Sequence, residues 1–136
     1  MIMNKKVAVD SNILIYLHDD NIAFKKQIAF EIMKEKPVIA AQVISEYLNV
    51  LKRLTKEPKL TIIEHCLVTV EDCEIVSIDY KLIEKAKNLI LRYDFQLFDS
   101  LIVASALQAK CTVLYSEDLH HNLLVENQLR IINPFI

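Results

Sequence analysis

The sequence predicts an α/β fold, a three-layer domain with helices on both faces of a central, mostly parallel sheet. Short apolar runs alternate along the chain with longer segments of helical period. The apolar runs are continuous rather than alternating, which is typical of strands buried on both faces of a parallel sheet. The length of 136 residues suits one hydrophobic core. We therefore expect a single domain over residues 1–136.

Five apolar runs are predicted strands. They cover residues 6–9, 37–40, 74–77 and 111–115, with residues 130–132 as a possible edge strand. The predicted helices cover residues 13–18, 21–36, 42–56, 60–70 and 79–93, and a last one begins near Asp99 and ends near Ala109. Pro58 separates the third and fourth helices, so these two are expected to form a helical hairpin.

Composition limits where the protein acts and what it binds. Hydrophobic residues make up 53% of the chain, yet no apolar run approaches the roughly 18 residues of a membrane helix. We expect no membrane association, and an apolar surface patch that a partner covers. The first residues lack a long apolar stretch and a cleavage site, which favours a cytoplasmic protein. The net charge of −2 gives no overall nucleic-acid signal.

Two residue types are scarce or absent. The three cysteines are odd in number, widely spaced and set in apolar surroundings, which favours buried thiols over a disulfide framework or a zinc site. Glycine is absent, so turns that need a positive φ are expected to use Asn or Asp. Asn21, Asn122 and Asn127 are the candidates.

Four carboxylates fall where the predicted sheet would bind a ligand. Asp10 and Asp118 follow predicted strands, and ligands of an open parallel sheet bind beyond the carboxyl ends of its strands. Glu46 and Asp99, near the starts of their helices, can reach the same edge. Taken singly, Asp99 can also be a helix N-cap and Asp118 a cap on a short turn.

If all four carboxylates were ionised, their total repulsion energy would be on the order of several kcal/mol at an effective dielectric near 20, so the cluster must hold protons or cations. Oxygen ligands without His or Cys suit Mg²⁺ or Mn²⁺ rather than zinc. Such ions activate water and stabilise displacement at a phosphodiester.

Four short motifs carry a resemblance that spans almost the whole chain. They are Asp10-Ser11-Asn12, Ser45-Glu46-Tyr47, Phe98-Asp99-Ser100 and Ser116-Glu117-Asp118. Each motif alone is weak, but the four in this order and spacing are specific. The sequence resembles the PIN domain family, most closely the VapC-type toxins of bacterial toxin–antitoxin pairs.

The resemblance implies an activity and a set of site residues. It implies a metal-dependent endoribonuclease that cuts RNA with Mg²⁺ or Mn²⁺, acts as the toxin of an antitoxin pair and commonly forms a homodimer. The four catalytic, metal-binding acids are then Asp10, Glu46, Asp99 and Asp118. Ser11, Asn12 and Ser116 would support them through hydrogen bonds.

Some assignments within this resemblance depart from the family pattern or stay open. A similar subgroup has His-Gly after the last motif where this chain has His121-Asn122, and we expect Asn to preserve the turn. Asp118 is assigned to the metal, and Glu117 to a supporting or solvent-facing position. His120 and His121 are interpreted as a solvated loop pair. A basic cluster can track an RNA backbone or form a charged outer face; it contains Lys52, Arg53, Lys56 and Lys59.

Two other functions were weighed. A catalytically silent PIN-like domain that binds RNA or protein is disfavoured because all four acids are present. A phosphatase with Asp10 as nucleophile, like the haloacid-dehalogenase enzymes, needs a second Asp two residues later, where this chain has Asn12. For a dimer mate or an antitoxin helix, the helices over residues 21–36 and 42–70 are the predicted surface.

Overall fold

The computed structural model describes residues 5–136, which form a six-stranded sheet flanked by six helices. The strands in chain order are β1 (Val7–Val9), β2 (Val38–Ala40), β3 (Ile75–Val76), β4 (Val113–Tyr115), β5 (Leu124–Val125) and β6 (Leu129–Ile132). The spatial order is β3-β2-β1-β4-β6-β5. All neighbours are parallel except β5 and β6. The predicted α/β class with a mostly parallel sheet is confirmed.

The predicted position of the last strand was wrong. Residues 130–132 belong to β6, which lies inside the sheet between β4 and β5. The edge strand is β5, which has only two residues and pairs Leu124 with Arg130 and Val125 with Leu129. No strand was predicted over residues 124–125, where β5 forms by antiparallel pairing with the strand that follows it.

The helices lie close to the predicted positions. Their bounds are α1 (Ser11–Tyr16), α2 (Ala23–Met33), α3 (Ala41–Thr55), α4 (Lys59–Thr69), α5 (Tyr80–Tyr93) and α6 (Leu97–Gln108). Pro58 precedes α4 directly, and α3 and α4 pack against each other as the predicted hairpin. Within residues 5–136, no helix is both long enough and apolar enough to cross a membrane.

The core lies around α6 and the central strands. Every residue from 102 to 107 is buried, as the apolar circumference of that helix predicts. Tyr47 of α3 is also fully buried, and its hydroxyl is hydrogen-bonded to Thr69 of α4 and His18 after α1. All three cysteines are free; Cys66 and Cys111 are buried, as predicted, and Cys73 is partly buried.

The turns without glycine follow the prediction only in part. Asn122 and Asn127 have positive φ, at 73° and 57°. Asn21 does not, because its N–H closes a local turn onto Asp19 instead. The left-handed positions also include Asp72 and Asp94 and, against expectation, Glu126, Lys36, Lys56 and Lys110. Lys56 is the C-cap of α3, where a cation faces the negative end of the helix dipole.

Candidate active site

Asp10 lies where β1 ends and α1 begins. Its backbone N–H donates to the carbonyl of Tyr115 at the end of β4, so its carboxylate lies beyond the carboxyl ends of two adjacent parallel strands. Oδ1 accepts from the backbone N–H of Ser11 at 2.7 Å, which makes Asp10 the N-cap of α1. Oδ2 accepts from Oγ of Ser116 at 2.8 Å. The residue is 4% exposed.

Ser11 connects Asp10 to the third helix. Its Oγ lies 3.0 Å from Oε2 of Glu46 and 3.4 Å from Oδ1 of Asp10. Glu46 also accepts a longer contact from Gln42, one turn earlier in α3. The predicted support of Ser11 therefore has a specific form: one hydroxyl bridges two of the candidate carboxylates.

Ser116 and Asn12 hold the turn after β4. Ser116 is fully buried, donates from Oγ to Asp10, and accepts from the backbone N–H groups of Asp118 and Leu119 at 3.2 and 3.1 Å. Asn12 donates from Nδ2 to Oδ2 of Asp118 at 3.2 Å and accepts at Oδ1 from the N–H of Glu117 at 3.3 Å. Asp118 is thereby tied to the first helix.

The two adjacent acids of this turn have different surroundings. Glu117 accepts from the hydroxyl of Tyr16 and pairs with Nζ of Lys25. Partial burial of Glu117 opposes its ionisation, but the hydrogen bonds from Lys25 and Tyr16 outweigh it and lower the pKa. Asp118 has Asn12 as its partner and is one of the charges that act on Asp99.

The four candidate acids form one electrostatic cluster. Burial is the main cause that raises the pKa of Asp10 to about 6; hydrogen bonds from Ser116 and Ser11 oppose it, and the charges of Glu46 and Asp99 add to it. Burial also raises the pKa of Asp99, and the charges of Glu46 and Asp118 raise it further. Among the described residues, no Lys, Arg or His forms an ion pair with any of the four.

The cluster is looser than a closed metal cage. Within residues 5–136, no three Asp, Glu, His or Cys side chains lie close enough together to hold one ion. The donor set of carboxylate, hydroxyl and amide oxygens nevertheless fits Mg²⁺ or Mn²⁺. Mg²⁺ usually keeps several waters and binds through one or two carboxylates, so it does not require a closed set of protein ligands.

The helix-cap alternative applies to one acid of the four. Asp10 does cap α1. Asp99 lies in the first turn of α6, whose N-cap is Gln96, and so it is not the cap. Nothing in the capping of α6 accounts for a partly buried carboxylate at Asp99 beside two other negative charges.

Several residues near the site were missed or assigned differently by sequence reasoning. Tyr16 and Lys25 contact Glu117, but nothing local in their helical patterns sets them apart from ordinary surface residues. Of the predicted solvated histidines, His120 is exposed, whereas His121 is partly buried and accepts at Nδ1 from the N–H of Asn133 at 2.9 Å. The basic cluster is fully exposed.

Comparison with known proteins was made at the levels of sequence and structure. The family model of the PIN domain matches residues 7–124, which include all four candidate acids. No curated protein sequence matches this chain significantly.

Three solved structures are similar in fold. One is a toxin–antitoxin complex from Klebsiella pneumoniae, with a TM-score of 0.71 and 16% identity, covering 96% of this chain and 98% of that chain. Another is the sarcin–ricin loop cleaving toxin VapC20 of Mycobacterium tuberculosis, with a TM-score of 0.66 and 16% identity, covering 83% of this chain and 90% of that chain. The third is VapBC2 from Rickettsia felis bound to a DNA fragment from its promoter, with a TM-score of 0.62 and 16% identity, covering 92% of this chain and 97% of that chain.

Proposed function

Because the chain belongs to the PIN domain family, we propose that it is a metal-dependent endoribonuclease that hydrolyses RNA phosphodiester bonds. Asp10, Glu46, Asp99 and Asp118 are its catalytic and metal-binding residues in this proposal. One observation on the acid cluster gives this proposal its main support. Burial and neighbouring negative charges raise the pKa of Asp10 and Asp99, and no cationic side chain of residues 5–136 pairs with the cluster. A cation from outside the chain would relieve that repulsion.

In this proposal each supporting residue positions an acid. The N–H of Ser11 and the hydroxyl of Ser116 fix the two oxygens of Asp10, while the Ser11 hydroxyl reaches Glu46. Asn12 directs Asp118. When bound, Mg²⁺ or Mn²⁺ supplies an activated water and stabilises charge at the phosphodiester. The partly exposed carboxylates of Glu46, Asp99 and Asp118 line the side of the cluster that solvent reaches, where an RNA strand would enter.

The biological role we propose is that of the toxin in a toxin–antitoxin pair, acting on RNA in the cytoplasm. The support is similarity in fold to VapC20 and to complexes described as toxin–antitoxin assemblies. A toxin of this kind needs a surface for its antitoxin. The α3–α4 hairpin offers a groove of about 400 Å³ lined by the apolar residues Leu48, Ile62 and Ile63 and by the charged residues Lys52, Glu57 and Lys59.

Further exposed apolar residues extend this partner surface. On α2 they are Phe24 and Phe30, and around the hairpin they are Leu54, Leu60, Ile63, Leu67 and Val68. These lie on the helices predicted from sequence to meet a dimer mate or an antitoxin helix. A second apolar groove of about 410 Å³ between α5 and α6 lies outside that prediction, and Ile83, Leu91 and Phe98 contribute to it.

The test of catalysis is cleavage of RNA by the purified chain with Mn²⁺, with Mg²⁺ and with a chelator. We expect internal cuts with either ion, none in chelator, and none from Asp99→Asn. Asp72→Asn is the matched control, because Asp72 lies between α4 and β3 at a φ of 65° that Asn tolerates. Cleavage by Asp99→Asn at the wild-type rate, or cleavage that chelation leaves unchanged, contradicts the proposal.

The alternative, a silent domain that binds RNA without cutting it, is distinguished in the same assay. It would retain RNA with or without metal, and no strand would be cut under any condition. The raised pKa values of Asp10 and Asp99 favour the nuclease, since a pure binding surface has no need for buried, mutually repelling carboxylates.

A further inference from the structure

The carboxylate of Glu117 is bonded to Lys25 and Tyr16, and Phe135 packs against these two residues. Nζ of Lys25 in α2 lies 2.5 Å from Oε2 of Glu117 and 3.1 Å from the hydroxyl of Tyr16 at the end of α1. The same Nζ lies 4.8 Å from the ring centroid of Tyr16 and 5.4 Å from that of Phe135 in the C-terminal segment. We call Tyr16, Lys25, Glu117 and Phe135 the Lys25 clamp.

The clamp differs from an ordinary surface ion pair. The side chains of Lys25 and Glu117 are 21% and 24% exposed, whereas those of the neighbouring pair Lys26 and Asp20 are 44% and 85% exposed. The rings of Tyr16 and Phe135 meet edge to face at 5.1 Å and cover the cation. Aromatic faces attract cations, and partial burial reduces solvent screening, so this pair is held more firmly than an exposed one.

The clamp acts on the turn that carries Asp118. The backbone N–H of Glu117 is held by Asn12, which also donates to Asp118. Glu117 is therefore fixed at its backbone by α1 and at its carboxylate by Lys25 and Tyr16. Without the clamp, a second carboxylate one residue from Asp118 would be free to turn toward the acid cluster and to compete for the hydrogen-bond donor of Asn12.

We propose that the Lys25 clamp is a positioning device that holds Glu117 aside, so that Asp118 alone of these two acids serves the metal site. This inference rests on the proposed function of that site. Lys25 and Tyr16 touch neither substrate nor metal in this account. They act through the direction of the turn after β4.

The test compares Lys25→Met with Lys26→Met in the full chain. Both changes remove one lysine from the same helix, but only the first removes a partner of Glu117. Mn²⁺ affinity is measured by isothermal titration calorimetry. We expect Lys25→Met to weaken Mn²⁺ binding by about tenfold, as the loss of a residue that orients a metal ligand commonly does. Lys26→Met is expected to stay within about twofold of wild type.

A double-variant comparison shows whether Lys25 acts through Glu117. Glu117→Ala removes the side chain that the clamp holds aside, so this variant should bind Mn²⁺ nearly as tightly as wild type. In the Glu117→Ala background, Lys25→Met should have no further effect on Mn²⁺ binding, because no carboxylate at position 117 is left to turn toward the cluster. The inference is overturned if Lys25→Met binds Mn²⁺ as tightly as wild type or tighter, or if Lys25→Met weakens binding equally with and without the Glu117 side chain.

A second measurement needs no metal and separates this inference from the proposed function. The side-chain amide resonances of Asn12 report its bonds to Asp118 and Glu117, and we expect them to shift in Lys25→Met but not in Lys26→Met. If the wild type binds no Mn²⁺, the proposed function fails. If the Asn12 resonances are unchanged in Lys25→Met, the positioning role of the clamp is overturned, whatever the outcome of the Mn²⁺ titration. If Lys25→Met does not fold, Tyr16→Phe removes the hydroxyl that bonds both Lys25 and Glu117 and should shift the same resonances.

Discussion

The hydroxyl of Ser116 donates to Oδ2 of Asp10 at 2.8 Å, although the two residues are 106 positions apart in sequence. Both are buried, at 0% and 4% exposure, and they lie at the ends of adjacent parallel strands. The same hydroxyl accepts from two N–H groups of the turn that carries Asp118. One serine therefore couples the most buried acid of the cluster to its most exposed one.

We predict that Ser116→Ala destabilises the protein by about 1–3 kcal/mol, because it leaves a buried carboxylate oxygen and two backbone N–H groups without their partner. The pKa of Asp10 should rise further, since the Ser116 hydrogen bond lowers it. Urea unfolding measures the first effect. Ser105→Ala is the control: Ser105 is equally buried but donates only to a carbonyl of its own helix, and we expect a smaller loss. Equal losses in both variants would contradict the prediction.

Neutralising Asp99 should stabilise the metal-free protein. Asp99→Asn removes a partly buried charge that repels Glu46 and Asp118, so its melting temperature in chelator should exceed that of wild type at pH 7. Mn²⁺ at a hundredfold excess over its Kd should stabilise wild type by roughly 2.7 kcal/mol and stabilise the variant less. Melting curves with and without Mn²⁺ test both signs. A lower melting temperature in chelator, together with an equal shift by Mn²⁺, would mean that Asp99 does not share a site with the others.

The pH dependence of stability should reveal Asp10. Its folded pKa is about 6, above the ordinary value of 3.8, so the folded state holds a proton that the unfolded state has lost between these values. The contribution of Asp10 to the free energy of unfolding is therefore fully present below pH 3.8 and is lost as the pH rises through 6. We predict that in chelator, as the pH rises from about 4 to about 6, the free energy of unfolding of wild type falls relative to that of Asp10→Asn. A flat difference would contradict the raised pKa.

Taking that difference removes the contribution of titrating groups that do not interact with Asp10. His18, for example, has a pKa lowered by burial and by the charges of His65 and Lys26, so its contribution to stability rises with pH. His18 is present in both proteins and its contribution cancels. With Mn²⁺ present, wild type should instead gain stability as the pH rises, because metal ligands must be ionised.

Glycine at a left-handed turn should stabilise the chain. Lys56 ends α3 with a φ of 55°, and a non-glycine residue in this region bears a cost of about 1–2 kcal/mol that glycine avoids. Against this, glycine loses more entropy on folding, by about 0.5–1 kcal/mol, and gives up the interaction of the lysine with the helix dipole, about 0.3 kcal/mol at an exposed helix end. We therefore predict that Lys56→Gly raises the free energy of unfolding by about 0.5 kcal/mol. Lys52→Gly, inside the same helix, should lower it by about 1 kcal/mol. A loss from both changes would contradict the prediction.

The partner surface can be tested with two charge substitutions. Leu67 of α4 and Leu91 of α5 are 64% and 78% exposed, and they lie on the α3–α4 hairpin and in the α5–α6 groove, respectively. We predict that Leu67→Asp disrupts association with a second copy or an antitoxin peptide, because burying a charge in an apolar contact is costly. Leu91→Asp should leave it intact. Sedimentation equilibrium of each variant measures the association. If Leu91→Asp disrupts association and Leu67→Asp does not, the partner binds at the α5–α6 groove instead.

The parts of the structure that the sequence predicted are those with a strong local signal. The central strands are continuous apolar runs, the helices carry apolar faces or, in α6, an apolar circumference, and the four acids lie in motifs that resemble one family. The strand β5 was not predicted, because it forms through its antiparallel pairing with β6, and the left-handed conformations of Glu126 and of three lysines were not, because neither residue type has a special preference for positive φ. The Lys25 clamp could not be predicted either, since it joins α1, α2, the turn after β4 and the C-terminal segment.

The sheet order β3-β2-β1-β4-β6-β5 has a consequence for when the protein becomes active during its synthesis. Of the strands, β1 is synthesised first, but its neighbour β4 follows only after all six helices have been made, and Asp118 comes later still. During most of translation, Asp10 therefore lacks its partner Ser116, and Asn12 lacks its partner Asp118. A nascent chain that ends before Asp118 carries three of the four acids and cannot assemble the cluster. Under the proposed function, the ribosome that makes this protein is therefore not exposed to its activity until the last strands are released.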